Sequence, residues 1–177
     1  MTFLKTKYEL KEASRLGPAP EDDKEGRVLN RIVRWSEDGL EYEGDPRQVE
    51  RFICELGLEG AKPVATPGFK ASHEQIETDS PIDPDKVSHF RGLAARCNYL
   101  SQDRPDCQFS AKEICRFMSD PTKLGVEALK RLGRYLVKRR RLVFLYPWQE
   151  GSSAWKCMRI RITPVASARG SRRREAV

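Results

Sequence analysis

The sequence predicts an α+β fold in which a β-hairpin and one helix are followed by three more helices and a short strand. Two patterns support this prediction. Residues 27–44 alternate between apolar and polar side chains, with turn residues in the middle. Apolar residues in four later segments recur with the period of an α-helix. The last residues, 149–177, are basic and have no apolar periodicity after Pro164, so they are predicted to be disordered.

The hairpin is predicted from three consecutive stretches, RVLNRIVRW, SEDG and LEYEG. The first is rich in β-branched residues and alternates Val28 and Ile32 with Leu29 and Val33. The second has the composition of a turn, and the third alternates Leu40 and the residues that follow it. The stretch therefore reads as two antiparallel strands with SEDG between them.

The next stretch, DPRQVERFICELG, predicts a helix. Asp45 can cap its first turn, Pro46 suits the first helical position, and Gly57 suits the stop. One face would be formed by four apolar residues, Val49, Phe52, Ile53 and Leu56.

Three further helices are predicted from the segments that begin near Pro84, Pro105 and Thr122, and the stretch LVFLY then predicts a short strand. Their aromatic residues suit a core better than a platform for stacking bases. These residues are Phe90, Tyr99, Phe117 and Tyr135. By organisation, the chain divides into a polar segment 1–26, the hairpin and helix 27–70, a polar linker 71–85, the helical region 86–148 and the tail 149–177.

The charge is unevenly distributed. The net charge is +7, but the seven basic residues from Lys156 onward face a single acidic residue, Glu175, so the rest of the chain is nearly neutral. A near-neutral body argues against an independent helical DNA-binding domain. Five cysteines, an odd number without a C-x-x-C pair, indicate free thiols rather than disulfides or a zinc site. Without a signal peptide or a long apolar run, the chain is expected in the cytoplasm or nucleus, away from membranes.

Motifs for catalysis are missing from the sequence. It has neither a phosphate-binding glycine loop nor a dinucleotide fingerprint. Its one pair of adjacent aspartates, Asp22 and Asp23, lies among prolines and charged residues, which predicts a solvated loop rather than a metal site.

The run KRRR at 138–141 permits two interpretations. Cations at a helix C-terminus complement the helix dipole, which is the more common reason for such a run. The alternative is contact with nucleic-acid phosphates, supported by Lys130, Arg131 and Arg134 one or two turns earlier.

The order of several short motifs resembles the C-terminal part of copia-type retrotransposon reverse transcriptases. The resemblance covers roughly residues 5–148 and lies in NYL and RPD near residue 100, RFM before Pro121, ALKR and RYL in the last helix, Tyr146, and ATP at 65–67. In that family this stretch follows the catalytic strand of the polymerase and precedes RNase H.

The resemblance implies the end of a palm, thumb-like helices and an RNA or DNA template–primer duplex as the partner. The family's catalytic Y-x-D-D is not in this sequence, so no catalytic residue, metal or other cofactor is expected in the chain, although the complete family enzyme uses Mg²⁺. The remainder of the polymerase is expected to be needed for activity. The predicted phosphate contacts are Arg104, Lys130, Arg131, Arg134, Lys138, Arg139 and Arg140. A non-enzymatic alternative is a transposon fragment retained by its host as a helical interaction or nucleic-acid-binding module.

The tail is predicted to be the start of an RNase H read in the wrong frame. Reading each codon from the third base of the preceding one permits V-E-V-H-A-D-T-D-Y-A-G-C-I-R-T-R-K-S-T-S-G-G from Ala154 onward, which resembles the family's RNase H start. The glutamate is forced, because TGG for Trp155 followed by AA for Lys156 gives GAA. The competing hypothesis is a selected arginine-rich arm that binds RNA.

Sequencing genomic and transcript DNA across codons 140–177 distinguishes these two hypotheses. We expect the shifted frame to encode the RNase H pattern. Codons whose shifted reading departs from that pattern would contradict the frameshift and favour a selected arm.

Overall fold

Residues 6–9 and 14–149 and the backbone of Arg161–Thr163 are described by the structure, a computed structural model. Its antiparallel sheet has the order β1-β2-β3-β4-β5. The strands are β1 (Glu25–Val28), β2 (Arg31–Ser36), β3 (Gly39–Glu43), β4 (Val143–Pro147) and the short β5 (Arg161–Thr163). β5 lies within the tail that was predicted to be disordered, and it pairs with β4. Residues 150–160 and 164–177 of that tail, and with them the predicted frameshift, lie outside the described residues.

The predicted first strand is two strands, and this part of the hairpin prediction was wrong. Leu29 and Asn30 both have positive φ, 51° and 66°, and form a two-residue turn between β1 and β2. Two consecutive residues of this conformation suit a tight hairpin because their twist matches that of the strands. Val28 pairs with Arg31 across the turn, so it does not share a face with Ile32 as a single strand would require.

The second turn is the predicted one, and β4 returns to it from the far end of the helical region. β4 pairs with β3 along its whole length, from Gly39 opposite Pro147 to Glu43 opposite Val143. A Cβ atom at Gly39 would lie 2.1 Å from the carbonyl oxygen of Tyr146, so only glycine permits this approach. The late strand LVFLY therefore completes the sheet that the hairpin begins.

The five α-helices of the described residues are α1 (Pro46–Glu55), α2 (His73–Glu77), α3 (Pro84–Ser101), α4 (Gln108–Cys115) and α5 (Lys123–Lys138). The predicted start and stop of α1 are confirmed. The carboxylate of Asp45 accepts a hydrogen bond from the Arg47 amide, and Gly57 has a φ of 64° beyond the last turn. Short 3₁₀ turns, Pro105–Cys107 and Arg116–Met118, flank α4.

The polar linker contains a helix that the sequence analysis missed. In α2, Ser72 and Gln75 form a capping box, in which each side chain bonds the other residue's backbone amide. Beyond α2 the linker runs beside the start of α5. The Lys123 amide donates to the Ser80 carbonyl, and the Leu124 amide donates to Asp79.

One apolar core joins α1, α3, α4 and α5, so residues of the predicted ranges 27–70 and 86–148 pack together. Its members of lowest exposure include Phe52, Ala94, Leu132 and Leu136. Phe90 and Tyr135 are buried as predicted, but Tyr99 is 39% exposed, so its assignment to the core was wrong. Tyr99 falls outside the arc of α3 that faces the other helices, which includes Phe90 and Cys97.

Polar groups join the sheet to the helices. The carboxylate of Glu43, at the end of β3, is 2% exposed and accepts hydrogen bonds from Arg34 and from the side-on edge of the Arg141 guanidinium. Burial raises the pKa of Glu43, but the hydrogen bonds from the two arginines outweigh it and leave the pKa below its usual value. Glu43 therefore holds a charge that links β2, β3 and Arg141, which lies two residues before β4.

A second carboxylate, Asp103, links the sheet to the end of α3. It accepts hydrogen bonds from the Arg31 guanidinium at 2.9 Å and from the Tyr42 hydroxyl. Burial and the bond to Asp103 raise the pKa of Tyr42 to about 12, so this hydroxyl keeps the proton that it donates.

Replacing Glu43 with alanine should lower the free energy of unfolding by about 3 kcal/mol, the lower end of the cost of breaking a buried ion pair, because both arginines remain partly exposed. Urea denaturation at neutral pH measures this change. Glu41→Ala, on the same strand but half-buried, is the matched control and should cost much less.

The pH dependence of this stabilisation has a definite sign. Because the folded-state pKa of Glu43 lies below its usual value, the stabilisation is complete above the unfolded pKa of about 4.3 and is lost as the pH falls through the lower folded value. The stability difference between wild type and Glu43→Gln should therefore shrink in acid. A difference that stays constant down to the acid transition would contradict the role given to the charge.

Candidate nucleic-acid interface

The last helix, α5, carries most of the predicted phosphate contacts. Thr122 caps it by accepting a hydrogen bond from the Gly125 amide. One side of α5 is buried against the other helices, with Leu129, Leu132 and Leu136 nearly inaccessible to solvent. The period of the helix places basic residues on the opposite side, where they reach solvent.

Four predicted residues form an exposed group, which we name the basic face: Lys130, Lys138, Arg139 and Arg140. Lys130 and Lys138 are separated by two helical steps of four residues, about 12 Å along the axis. The Arg139 guanidinium lies over the Tyr135 ring, 5.3 Å from its centroid. Within the described part of the chain, no carboxylate pairs with these four residues, so their charge faces solvent.

Arg131 and Arg134 lie on the same helix but hold a loop. We name residues 61–72 the α5 loop because this stretch, which has no regular secondary structure, crosses α5. The Arg134 Nε atom donates to the Lys62 carbonyl at 2.8 Å, and the Arg131 Nη2 atom donates to the Thr66 hydroxyl at 3.0 Å. Both are half-buried. The sequence analysis did not identify Lys62, whose exposed side chain adds a positive charge beside Arg134.

Arg104 is not on this surface. It is 4% exposed, and its Nε and Nη2 atoms donate to the carboxylate of Asp106 at 2.9 Å and 2.8 Å. Burial lowers the pKa of Arg104, but the bonds to Asp106 outweigh it and raise the pKa above its usual value. The Tyr135 hydroxyl also donates to Asp106. We therefore leave Arg104 out of the candidate interface, since an ion pair buried at this depth cannot reach a phosphate.

The run KRRR divides between the two interpretations that the sequence left open. Its last member, Arg141, donates to buried Glu43 at 2.7 Å and serves the fold. The first three remain exposed at the end of α5, where their charge also complements the helix dipole.

The aspartate pair of the N-terminal segment lies in a loop, as predicted, but only Asp23 is solvated, since the side chain of Asp22 is 5% exposed. Asp22 accepts a hydrogen bond from the Ala19 amide, and Asp23 accepts one from the Arg15 amide. Both carboxylates thus stabilise turns of this loop. In the described part of the chain, no group of three or more histidine, cysteine or acidic side chains is arranged to hold a metal ion.

The described cysteines, Cys54, Cys97, Cys107 and Cys115, are free thiols, and Cys157 lies outside the described residues. Burial raises the pKa of Cys107 to about 12 and that of Cys97 well above its usual value. These two thiols therefore stay protonated and serve as packing groups. Among the described residues no helix has both the length and the apolar character to cross a bilayer.

An apolar groove lies between the α5 loop and helices α2, α4 and α5. It has a volume of about 270 Å³ and is lined by Phe69, Phe109 and Phe117, together with Ile76 and Ile114. Phe109 is 69% exposed and Ile76 is 60% exposed, so two large apolar side chains at the groove face solvent. Phe109 lies on α4 but points away from the core, which Ile114 of the same helix joins.

Comparisons with known proteins relate this chain to retrotransposon polyproteins. It is 34% identical over 91 residues to the retrovirus-related Pol polyprotein from transposon RE1 of Arabidopsis thaliana, and 34% identical over 85 residues to that from transposon RE2. It is also 29% identical over 90 residues to the uncharacterized mitochondrial protein AtMg00810 of the same plant. No protein-family model and no solved structure matches the chain.

The matches cover about half of this chain, 51%, 48% and 51% respectively, but only 6% of each Pol polyprotein and 36% of the mitochondrial protein. The chain thus spans a small part of the curated relatives that it matches. They confirm the relationship to retrotransposon Pol polyproteins that the motifs near residue 100 and in α5 predicted.

Arg104 and Lys138 should respond differently to substitution. Arg104→Ala should unfold at clearly lower urea concentration than wild type, because the half-buried carboxylate of Asp106 would lose the cation that offsets its partial desolvation. Lys138→Ala removes an equal charge from the exposed face and should change the free energy of unfolding by less than about 0.5 kcal/mol. Equal midpoints for the two variants would contradict the internal role of Arg104.

Proposed function

We propose that the chain is the part of a retrotransposon reverse transcriptase that follows the catalytic strand, and that it helps to hold the template–primer duplex. The observation that carries the proposal is the basic face, four exposed cations that are not neutralised by a described carboxylate on an otherwise balanced body. The relationship to Pol polyproteins supplies the biological setting.

The chemistry of such a surface suits a duplex of any sequence. Lys130 and Lys138 on α5, with Arg139 and Arg140 just beyond its end, can meet the regularly spaced phosphates of a backbone, and binding releases the counterions of those phosphates. Phosphate contacts fix position but carry no sequence information. A polymerase needs this property, since its duplex changes sequence at every step.

The proposed role is binding and not phosphoryl transfer. The sequence contains no Y-x-D-D, so the carboxylates that would hold Mg²⁺ in the family must come from other parts of a polymerase. The thumb-like helices then act by positioning the primer end, and polymerisation requires the remainder of the enzyme.

The decisive variant replaces all four residues of the basic face with glutamine. Duplex binding is measured by fluorescence anisotropy with a labelled RNA–DNA hybrid over a range of salt concentrations. The background should carry glutamine at Arg169, Arg172, Arg173 and Arg174, because these would bind any nucleic acid and obscure the helix. We expect weaker binding and a shallower salt slope, by about 0.9 for each phosphate that the variant no longer neutralises.

A matched control replaces four exposed cations elsewhere, Arg27, Arg51, Lys112 and Arg116. It lowers the net charge equally but leaves the basic face intact, so it should retain most of the affinity. If both sets weaken binding equally, the affinity reflects net charge and the proposed interface is refuted.

A second function, a helical protein-interaction module, is favoured by the apolar groove. An open groove with exposed Phe109 and Ile76 is typical of a surface that meets another protein. Phe109→Ser should reduce any self-association seen by sedimentation, whereas Phe117→Ser, at a half-buried position packed on the core, should mainly reduce stability. If wild type self-associates and Phe109→Ser sediments in the same way, the groove is excluded as the contact surface.

A further inference from the structure

The α5 loop holds a threonine in a setting that the basic face does not explain. Thr66 is exposed in a stretch without regular secondary structure and precedes Pro67. A residue before proline is disfavoured in the helical region of backbone conformation, and Thr66 directly follows a bend at Ala65. Its hydroxyl accepts its hydrogen bond from Arg131.

Only one of the two donors on this edge of the Arg131 guanidinium has a hydrogen-bond partner in this contact. Its Nη2 atom meets Thr66, while its Nε atom is buried and has no hydrogen-bond partner within the described part of the chain. Buried donors are almost always paired in folded proteins, so an orphan of this kind calls for a reason.

Other arginines of the same chain show what completes such an edge. Arg104 uses its Nε and Nη2 atoms together on the carboxylate of Asp106, and Arg141 uses the same two atoms on Glu43. Two parallel donors fit an anion with two oxygens, and a phosphate offers that geometry as well as a carboxylate does. A neutral hydroxyl supplies only one acceptor to this edge of Arg131.

We propose that Thr66 is a phosphorylation site for a proline-directed protein kinase, and that the phosphate is received by the Nε and Nη2 edge of Arg131. In the transfer, the Thr66 Oγ1 atom attacks the γ-phosphorus of ATP and forms a new P–O bond. The bond between the γ-phosphorus and the bridging oxygen breaks, ADP leaves and the hydroxyl proton is released.

Two consequences follow from a phosphate at this position. It adds nearly two negative charges and strong acceptors beside Arg131, which ties the α5 loop to α5 more firmly. Because Arg131 lies within one turn of α5 from Lys130 and Arg134, a phosphate bound to it also offsets positive charge beside the basic face. Weaker duplex binding after phosphorylation rests on the proposed function, whereas the tightening of the loop does not.

The test uses the full 177-residue chain, ATP and a purified proline-directed serine/threonine kinase, with the sites mapped by peptide mass spectrometry. We expect phosphate on Thr66 in wild type and in Thr66→Ser, and none at this position in Thr66→Ala. Ser80 precedes Pro81 but is half-buried, and the Lys123 amide binds its carbonyl, so it is the internal control and should stay unmodified. If a peptide of residues 61–72 is modified while Thr66 in the folded chain is not, the site is refuted.

Thermal unfolding tests whether Arg131 binds the phosphate on Thr66. Phosphorylation of wild type should raise the Tm, and the rise should diminish at high salt because it depends on a charge contact. In Arg131→Lys, which keeps the charge but loses the two-donor edge, the rise should largely disappear when each protein is compared with its own unmodified form. An equal rise in both proteins would refute the contact with Arg131. These measurements involve no nucleic acid, so their failure is distinct from failure of the proposed function.

Discussion

Two buried carboxylates, Glu43 and Asp103, hold the sheet on the helices, and the rest of the structure depends on this polar joint. The apolar cluster within α1, α3, α4 and α5 includes no residue of the described strands, although Ile32 of β2 and Phe144 of β4 are also buried. Charge-assisted hydrogen bonds add to this burial: Arg31 of β2 donates to Asp103 beyond α3, and Glu43 of β3 accepts from Arg34 of β2 and from Arg141 between α5 and β4. Burying these carboxylates has a desolvation cost that only close, multiple donors can offset. The strength of this joint therefore depends on its geometry. It fixes the sheet in one position relative to the helices, whereas an apolar contact would allow the two to slide.

The same joint determines where the basic face points. Arg141 is held by Glu43 directly after the last residue of the face, and Arg104, in the segment beside Asp103, donates to the Arg140 carbonyl at 3.4 Å. At the other side, the hydroxyl of Tyr135 is fixed by Asp106, and Arg139 lies over the Tyr135 ring. The end of α5 is thus held at several points, and the exposed cations inherit a defined direction. A surface for a stiff, regularly charged duplex requires this, because a cation on a loose segment loses entropy on binding.

Local patterns predicted most of the elements, and the features that were missed have both local and long-range causes. α1 could be predicted from Asp45, Pro46 and Gly57, since a helix cap is decided within a few residues. The turn at Leu29 and Asn30 could not, because leucine is rarely found at positive φ and the apolar run continues through it. The sequence motifs grouped Arg104 with the cations of α5, but Arg104 is buried and donates to Asp106, which also accepts a hydrogen bond from Tyr135 of α5. Exposure is a property of the assembled fold, so a list of basic residues drawn from the sequence includes both buried and exposed ones.

The division of labour between lysine and arginine follows from their chemistry. Arg34, Arg104 and Arg141 are engaged with buried carboxylates, and Arg131 and Arg134 hold a loop, because a planar guanidinium can donate along an edge while its stem is buried. Lys130 and Lys138, whose compact charge is strongly hydrated, remain at the surface. A count of positive charges therefore overstates the number of cations that can bind an external anion, since many of the arginines already bind groups within the chain. Arg131 and Arg96 both retain a buried Nε atom without a partner among the described residues, but Arg96 already binds the carboxylate of Glu55, whereas Arg131 contacts only a neutral hydroxyl.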